Sequence, residues 1–182
     1  MWRDLRIEMS QDALMATPCT APEPSEMDRA LLRAVSDEVV QLPDGVAKLT
    51  HAWSDGAGMW FVEVQPREPR AALLSVAFDG NDLLNFTLGN IWFEVFPIDT
   101  PDELTDCARK VARAVFHGHL AESGFVGDAY GRVSLEDGSA MSIGRIHLPW
   151  PWWLRPFKRR YRPYAPQLSL SRQEDPGPPK PD

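Results

Sequence analysis

Between residues 46 and 97 apolar side chains recur at every second position, in short runs separated by glycine, asparagine and aspartate. That period belongs to strands with one buried face. VAKLTHAW (46–53) and MWFVEVQP (59–66), joined by SDGAG, predict a hairpin. In the second strand Trp60, Val62 and Val64 fall on one face, with Phe61, Glu63 and Gln65 on the other. After a polar break at 67–70, the runs 72–78, 83–88 and 91–97 predict a three-strand meander. Asp79-Gly80 and Gly89-Asn90 supply its tight turns.

Beyond residue 100 the apolar spacing lengthens to three and four. Leu104, Ala108, Val111, Ala112, Val115, Phe116 and Leu120 draw one stripe. Thr100 as N-cap, Pro101 at the first helical position and Glu103 as the capping-box acid open this helix, and Asp102, Glu103 and Asp106 suit its positive end. With Gly124 as the stop, the helix is expected over 101–122. A shorter helix is expected over about 26–37, behind Ser25 and Asp28 as its capping box and with Met27, Leu31, Leu32 and Val35 at helical spacing. The run 128–148 predicts a last hairpin turning at Asp137-Gly138.

The expected fold is therefore α+β. It has one antiparallel sheet of about 6–7 strands, with the long amphipathic helix and the shorter N-terminal helix on a single face. Residues 1–24 read as an extension and a Pro-rich linker, of which 1–17 would be a short helix or a start-site extension. Residues 25–148 are the domain, 149–170 a basic-aromatic arm packed on it, and 171–182 a tail of disordered composition.

Charge sharpens the picture of the arm. The chain of 182 residues has a formal net charge of −7. Seven of its 19 cations lie between 139 and 173, a stretch without Asp or Glu, so the remainder carries 12 cations against 26 acids. An acidic body is a poor match for a long nucleic acid. The arm LPWPWWLRPFKRRYRPY (148–164) has prolines at 149, 151, 156 and 163, which exclude a regular helix. Four uses compete for it: an extended strap along the body, a membrane-surface contact, a site for phosphate, nucleotide or a nucleic-acid end, and a protein-binding hot spot. No apolar run is long enough to span a bilayer and no signal-peptide pattern opens the chain, so a cytoplasmic location with reduced cysteines is expected.

Catalytic motifs are sparse. No phosphate loop, dinucleotide turn, zinc spacing or nucleophile elbow occurs, and Gly56-Ala57-Gly58 sits in a hairpin turn. On the expected helix His117 and His119 diverge too far to share a metal, while His119 and Glu122 share a face; His51 and His147 lie on expected strands. No cofactor or metal is expected. The acids Glu63 and Glu94, mid-strand, and Asp79 and Asp82, in one turn, are either a solvated sheet surface or a display for a basic partner.

The segment LLNFTLGNIWFEVFPIDTPDELTDCARKVARAVFHGHLAES (83–123) resembles small actinobacterial α+β proteins of the immunity type, encoded beside polymorphic toxins. In that family an LGxxWFE-like strand leads from a meander into one amphipathic helix. The resemblance covers about 40 residues and implies a non-catalytic protein that binds and blocks a cognate toxin. A partner surface would draw on Trp150, Trp152, Trp153, Arg155, Lys158, Arg159, Arg160 and Tyr161 of the arm and on Asp79, Asp82, Glu63 and Glu94 of the body. The alternatives are a phosphate- or nucleotide-binding protein or enzyme using the arm, and a structural subunit of a secretion or envelope assembly.

Overall fold

The computed structural model describes residues 21–95, 98–125, 128–143 and 157–166. Its first element, α1 (Glu26–Val40), begins where the capping residues put it. The Ser25 backbone N–H donates to Asp28 Oδ2 at 2.8 Å, and the Asp28 N–H donates back to Ser25 Oγ at 3.1 Å. The helix runs three residues past the expected end, and its buried side carries Ala30, Leu31, Ala34, Val35 and Glu38.

A five-stranded antiparallel meander follows: β1 (Ala47–Ser54), β2 (Met59–Pro66), β3 (Leu74–Phe78), β4 (Leu84–Leu88) and β5 (Ile91–Val95), in chain order. One row of cross-strand partners reads His51, Val62, Val76, Phe86, Phe93; the row beside it reads Leu49, Val64, Leu74, Leu88, Ile91. Apart from His51, these side chains lie in the core or pack against it, together with the Phe78–Leu84 pair of β3 and β4. The alternation that predicted the strands thus also fixes their register, because a one-residue slip would turn this whole set to the other face.

α2 (Pro101–Phe116) starts at the expected residue, with the Glu103 N–H donating to Thr100 Oγ1 at 3.2 Å, but the expected capping box is only half formed, since the Glu103 carboxylate accepts from the Asp99 N–H at 3.0 Å. The helix ends six residues early. Gly118 takes φ +74, its N–H donates to the Val115 carbonyl at 3.0 Å, and the His119 N–H donates to the Ala114 carbonyl at 2.8 Å. That is a Schellman stop, and the backbone groups it satisfies leave no helical continuation. Leu120 extends the apolar stripe by coincidence of spacing. It is the first residue of β6 (Leu120–Phe125), so His119 and Glu122 do not share a helix face.

The single sheet expected from the sequence is divided in two. β6 pairs with β7 (Asp128–Ser134), β7 with β8 (Ala140–Ile143), and on its other edge β6 pairs with β9 (Phe157–Arg160). The order is β8-β7-β6-β9, all antiparallel. The two sheets meet without hydrogen-bonding where β5 packs on β7 and β8. Gly131 of β7 has no side chain because Ile91 occupies the space a Cβ would take. α1 packs along α2 and against β1, β2 and β3, while α2 touches β3 and β7. A carboxylate lies between the helices: Glu38, 4% exposed, accepts from Arg113 Nε at 2.7 Å and Nη2 at 2.9 Å.

The chain after β9 ties the parts together. The Arg162 N–H donates to the Arg70 carbonyl at 3.0 Å and the Tyr164 N–H to the Phe116 carbonyl at 2.9 Å. The buried Tyr164 hydroxyl lies within hydrogen-bonding distance of the Ala72 and Val64 carbonyls, at 2.7 and 3.2 Å.

Candidate functional site

The strand alternation that fills the core leaves a second set of side chains on the other face of the five-stranded sheet. Thr50, Glu63, Ser75, Thr87 and Trp92 form one row across it; Ala52, Phe61, Ala77, Asn85 and Glu94 form the next. None of these ten belongs to the core cluster, but Ala77 at the middle of the face is 6% exposed, and of the rest only Trp92 and Glu94 are exposed, the others being half-buried. Trp92 is 60% exposed, the most exposed aromatic among the described residues. Glu94 is exposed two positions along the same strand, and Glu63 is half-buried three strands away. Glu63 and Glu94 therefore share a face with Trp92 and Phe61, though they do not touch as a pair.

Asp79 and Asp82 are elsewhere and do different work. Asp79 Oδ1 accepts from the N–H groups of Asn81 at 2.9 Å and Leu83 at 3.2 Å, which builds the β3–β4 turn. The exposed Asp82 contributes its carbonyl to the Ile98 N–H at 3.0 Å. Asp79 is thus committed to local structure, and only the Asp82 carboxylate is open to solvent at the sheet end nearest Glu94.

The second set of expected residues converges on β9. Alternation splits them: Lys158 and Arg160 lie on the outer face of the four-stranded sheet, and Arg159 on its inner face. There Glu122, 1% exposed, is the centre of a polar cluster. Its Oε2 accepts from the Tyr161 hydroxyl at 2.6 Å and from Asn90 Nδ2 at 3.5 Å, with Arg159 Nη1 at 4.0 Å, and its Oε1 has no partner among the described residues. Burial, reinforced by the bond to Glu122, pushes the Tyr161 hydroxyl above the usual phenol range, while the Arg159 guanidinium pulls the other way. Gly89, at φ +59, closes the cluster from the β4–β5 turn, since a Cβ there would collide with the Tyr161 hydroxyl. Tyr161 is therefore an internal strut rather than a contact residue. Trp150, Trp152, Trp153 and Arg155 lie outside the described residues.

The histidines are rearranged by the early end of α2. His117 caps that helix and His119 follows Gly118, with their rings 5.9 Å apart. His51 stacks on Trp60 at 4.6 Å on the core-facing side of β1, and burial lowers its pKa against the pull of Asp28. His147, its suggested neighbour, lies outside the described residues. Burial, with Asp106 beside it, pushes the Cys107 thiol up to about 11, so it is a thiol and not a thiolate near neutral pH. Among the described residues no group of three or more His, Cys, Asp or Glu side chains is arranged to hold a metal ion. No helix among them is long and apolar enough to cross a membrane.

Three features escaped the sequence: the burial of Glu122, the Glu38–Arg113 pair, and a third arginine that joins the basic strand. Arg132 of β7 and Arg160 of β9 are both cross-strand partners of Ala121, so they flank it on the outer face of the second sheet. They line a shallow cleft of about 280 Å³ with Gly118, His119, Leu120 and Ser134. No protein-family model, curated protein or solved structure matches the chain.

Proposed function

We propose that the protein is a non-catalytic binding module of the cytoplasm, most concretely an immunity-type inhibitor that holds a cognate toxin through the outer face of its five-stranded sheet. The observation that carries this reading is Trp92, 60% exposed on the edge strand β5 beside the exposed Glu94, on a sheet face that also holds the half-buried Phe61 and Glu63. Tryptophan carries a large apolar area at a small entropic cost, which is why it recurs as an interface anchor. Carboxylates around it favour a partner with a basic surface, and they speed its capture more than they strengthen its hold. The LGNIWFE segment, on which the family resemblance rests, supplies both Trp92 and Glu94.

Affinity capture from cells that make the protein tests the idea, with wild type compared against Trp92→Ala and Glu94→Lys. The expected result is one stoichiometric protein with a basic contact surface whose expression alone arrests growth and whose effect co-expression cancels. Trp92→Ala should weaken that complex by about 2 kcal/mol or more. Glu94→Lys should slow its formation most strongly at low salt. A complex that forms equally well with both variants would remove this face from the interface.

A further inference from the structure

We infer that the outer face of the four-stranded sheet is a binding site for a small phosphate-bearing ligand, held between Arg132 and Arg160. The inference is independent of the inhibitor reading and concerns the other sheet. Ala121 is the second residue of β6, the inner strand between β7 and β9, with Arg132 opposite it on β7 and Arg160 opposite it on β9. Two strand spacings separate the arginine backbones by roughly 10 Å. Between them only a methyl group rises from the sheet floor, so the two long side chains bound a trough. Gly118 and Ser134 continue its walls, and its volume is about 280 Å³. That is room for one or two phosphoryl groups and little more.

The charge of the trough is unbalanced. Lys158 lies one row away on the same face, opposite Ser123. Arg132, Lys158 and Arg160 are all exposed, and none of them has an ion-pair partner among the described residues. Their neighbours on this face with described side chains include Ser123, Tyr130, Ser134 and Ser142, none of them acidic, and His119 also lines the cleft. Elsewhere Arg113 pairs with Glu38, Arg109 with Asp37 and Arg29 with Glu23, while Arg33, Arg67, Arg70 and Arg162 are exposed single cations away from this sheet's strands. Three cations on one sheet face, without an ion-pair partner among the described residues, repel each other, and a multiply charged oxyanion relieves that repulsion. Guanidinium groups match phosphate geometry in a bidentate fashion, and two facing groups fix its orientation. A trough this small suits a phosphomonoester or diphosphate rather than a polymer, which the net charge of −7 also disfavours.

Titration of the full-length protein with inorganic pyrophosphate at low ionic strength, followed by calorimetry and by the phosphorus NMR signal, tests the proposal. Saturable one-to-one binding is expected, weakened about tenfold or more in each of Arg132→Gln and Arg160→Gln. Both side chains are exposed, and circular dichroism checks that the variants fold. Arg33→Gln, on the exposed side of α1, removes the same charge far from the trough and should change affinity less than about twofold. Absence of saturable binding overturns the proposal, as does an equal loss in Arg33→Gln, which would mean a general charge effect. Retention on anionic lipid vesicles without pyrophosphate binding overturns it in favour of a membrane surface.

Discussion

Glu122 sets a sharp test at the residue scale. Its Oε2 rests on the Tyr161 hydroxyl at 2.6 Å, with Asn90 more distant at 3.5 Å and Oε1 unpartnered among the described residues. A carboxylate 1% exposed cannot turn to water when a partner is lost. Tyr161→Phe keeps the ring and its packing but removes the donor, and should cost about 1–3 kcal/mol in urea unfolding. Arg159 stands 4.0 Å from the same oxygen with its own side chain 56% exposed, so Arg159→Ala should cost less than about 1 kcal/mol. Adding Glu122→Leu to Tyr161→Phe should recover part of the loss, because two apolar groups leave nothing unsatisfied. Equal stability of Tyr161→Phe and wild type would show that the hydroxyl does not support Glu122.

At the scale of elements, both helix starts, the hairpin and three-strand meander that together form the first sheet, and the β7–β8 hairpin were legible in the sequence. Each is written in local terms: capping pairs at Ser25–Asp28 and Thr100–Glu103, alternation, and turn residues. The end of α2 was not, because Leu120 continues the apolar stripe past Gly118 and two glycines compete as stops. Tertiary packing decides between them. A Cβ on Gly118 would stand 2.6 Å from the Pro163 backbone nitrogen, so this glycine serves both the helix stop and the passage of the C-terminal strap. Pairing across long separations was equally hidden: nothing local says that β9 joins β6, that the sheet splits in two, or that Arg132 comes to face Arg160 across Ala121. The candidate acids were half legible. Glu63 and Glu94 do share the outer face, whereas Asp79 proved to be a turn residue. Gly118→Ala should cost about 1–3 kcal/mol through left-handed strain and overpacking. Gly56→Ala, with open space around it and no positive φ, should stay within about 0.5 kcal/mol of wild type. Thermal melts of the two variants check the contrast, and equal melting temperatures would mean that the strap yields freely.

For the whole molecule, the basic strand resolves into a division of labour. Its odd-numbered residues Arg159 and Tyr161 turn inward to Glu122, its even-numbered Lys158 and Arg160 remain outside, and the strap beyond it reaches the first sheet. Tyr164 inserts beside Phe116 at 4.6 Å and engages the carbonyls of Val64 and Ala72, so one short segment is pinned to β6, the end of α2 and the β2–β3 region. Tyr161 and Tyr164 are 8% and 2% exposed. Losing a buried aromatic side chain of this size typically costs about 3–5 kcal/mol, and a whole domain is stable by only about 5–15. A chain ending at residue 156 should therefore lose most of its cooperative unfolding transition and expose apolar surface around Phe116 and Leu120. The double variant Lys158→Gln, Arg160→Gln should melt close to wild type, since both side chains are exposed and unpaired among the described residues. Calorimetric melts separate the two contributions of the segment. A truncated chain that unfolds at the wild-type temperature would show that the strap decorates the fold. A large loss in the double variant would show that outer-face charge, rather than buried tyrosine, holds the segment down.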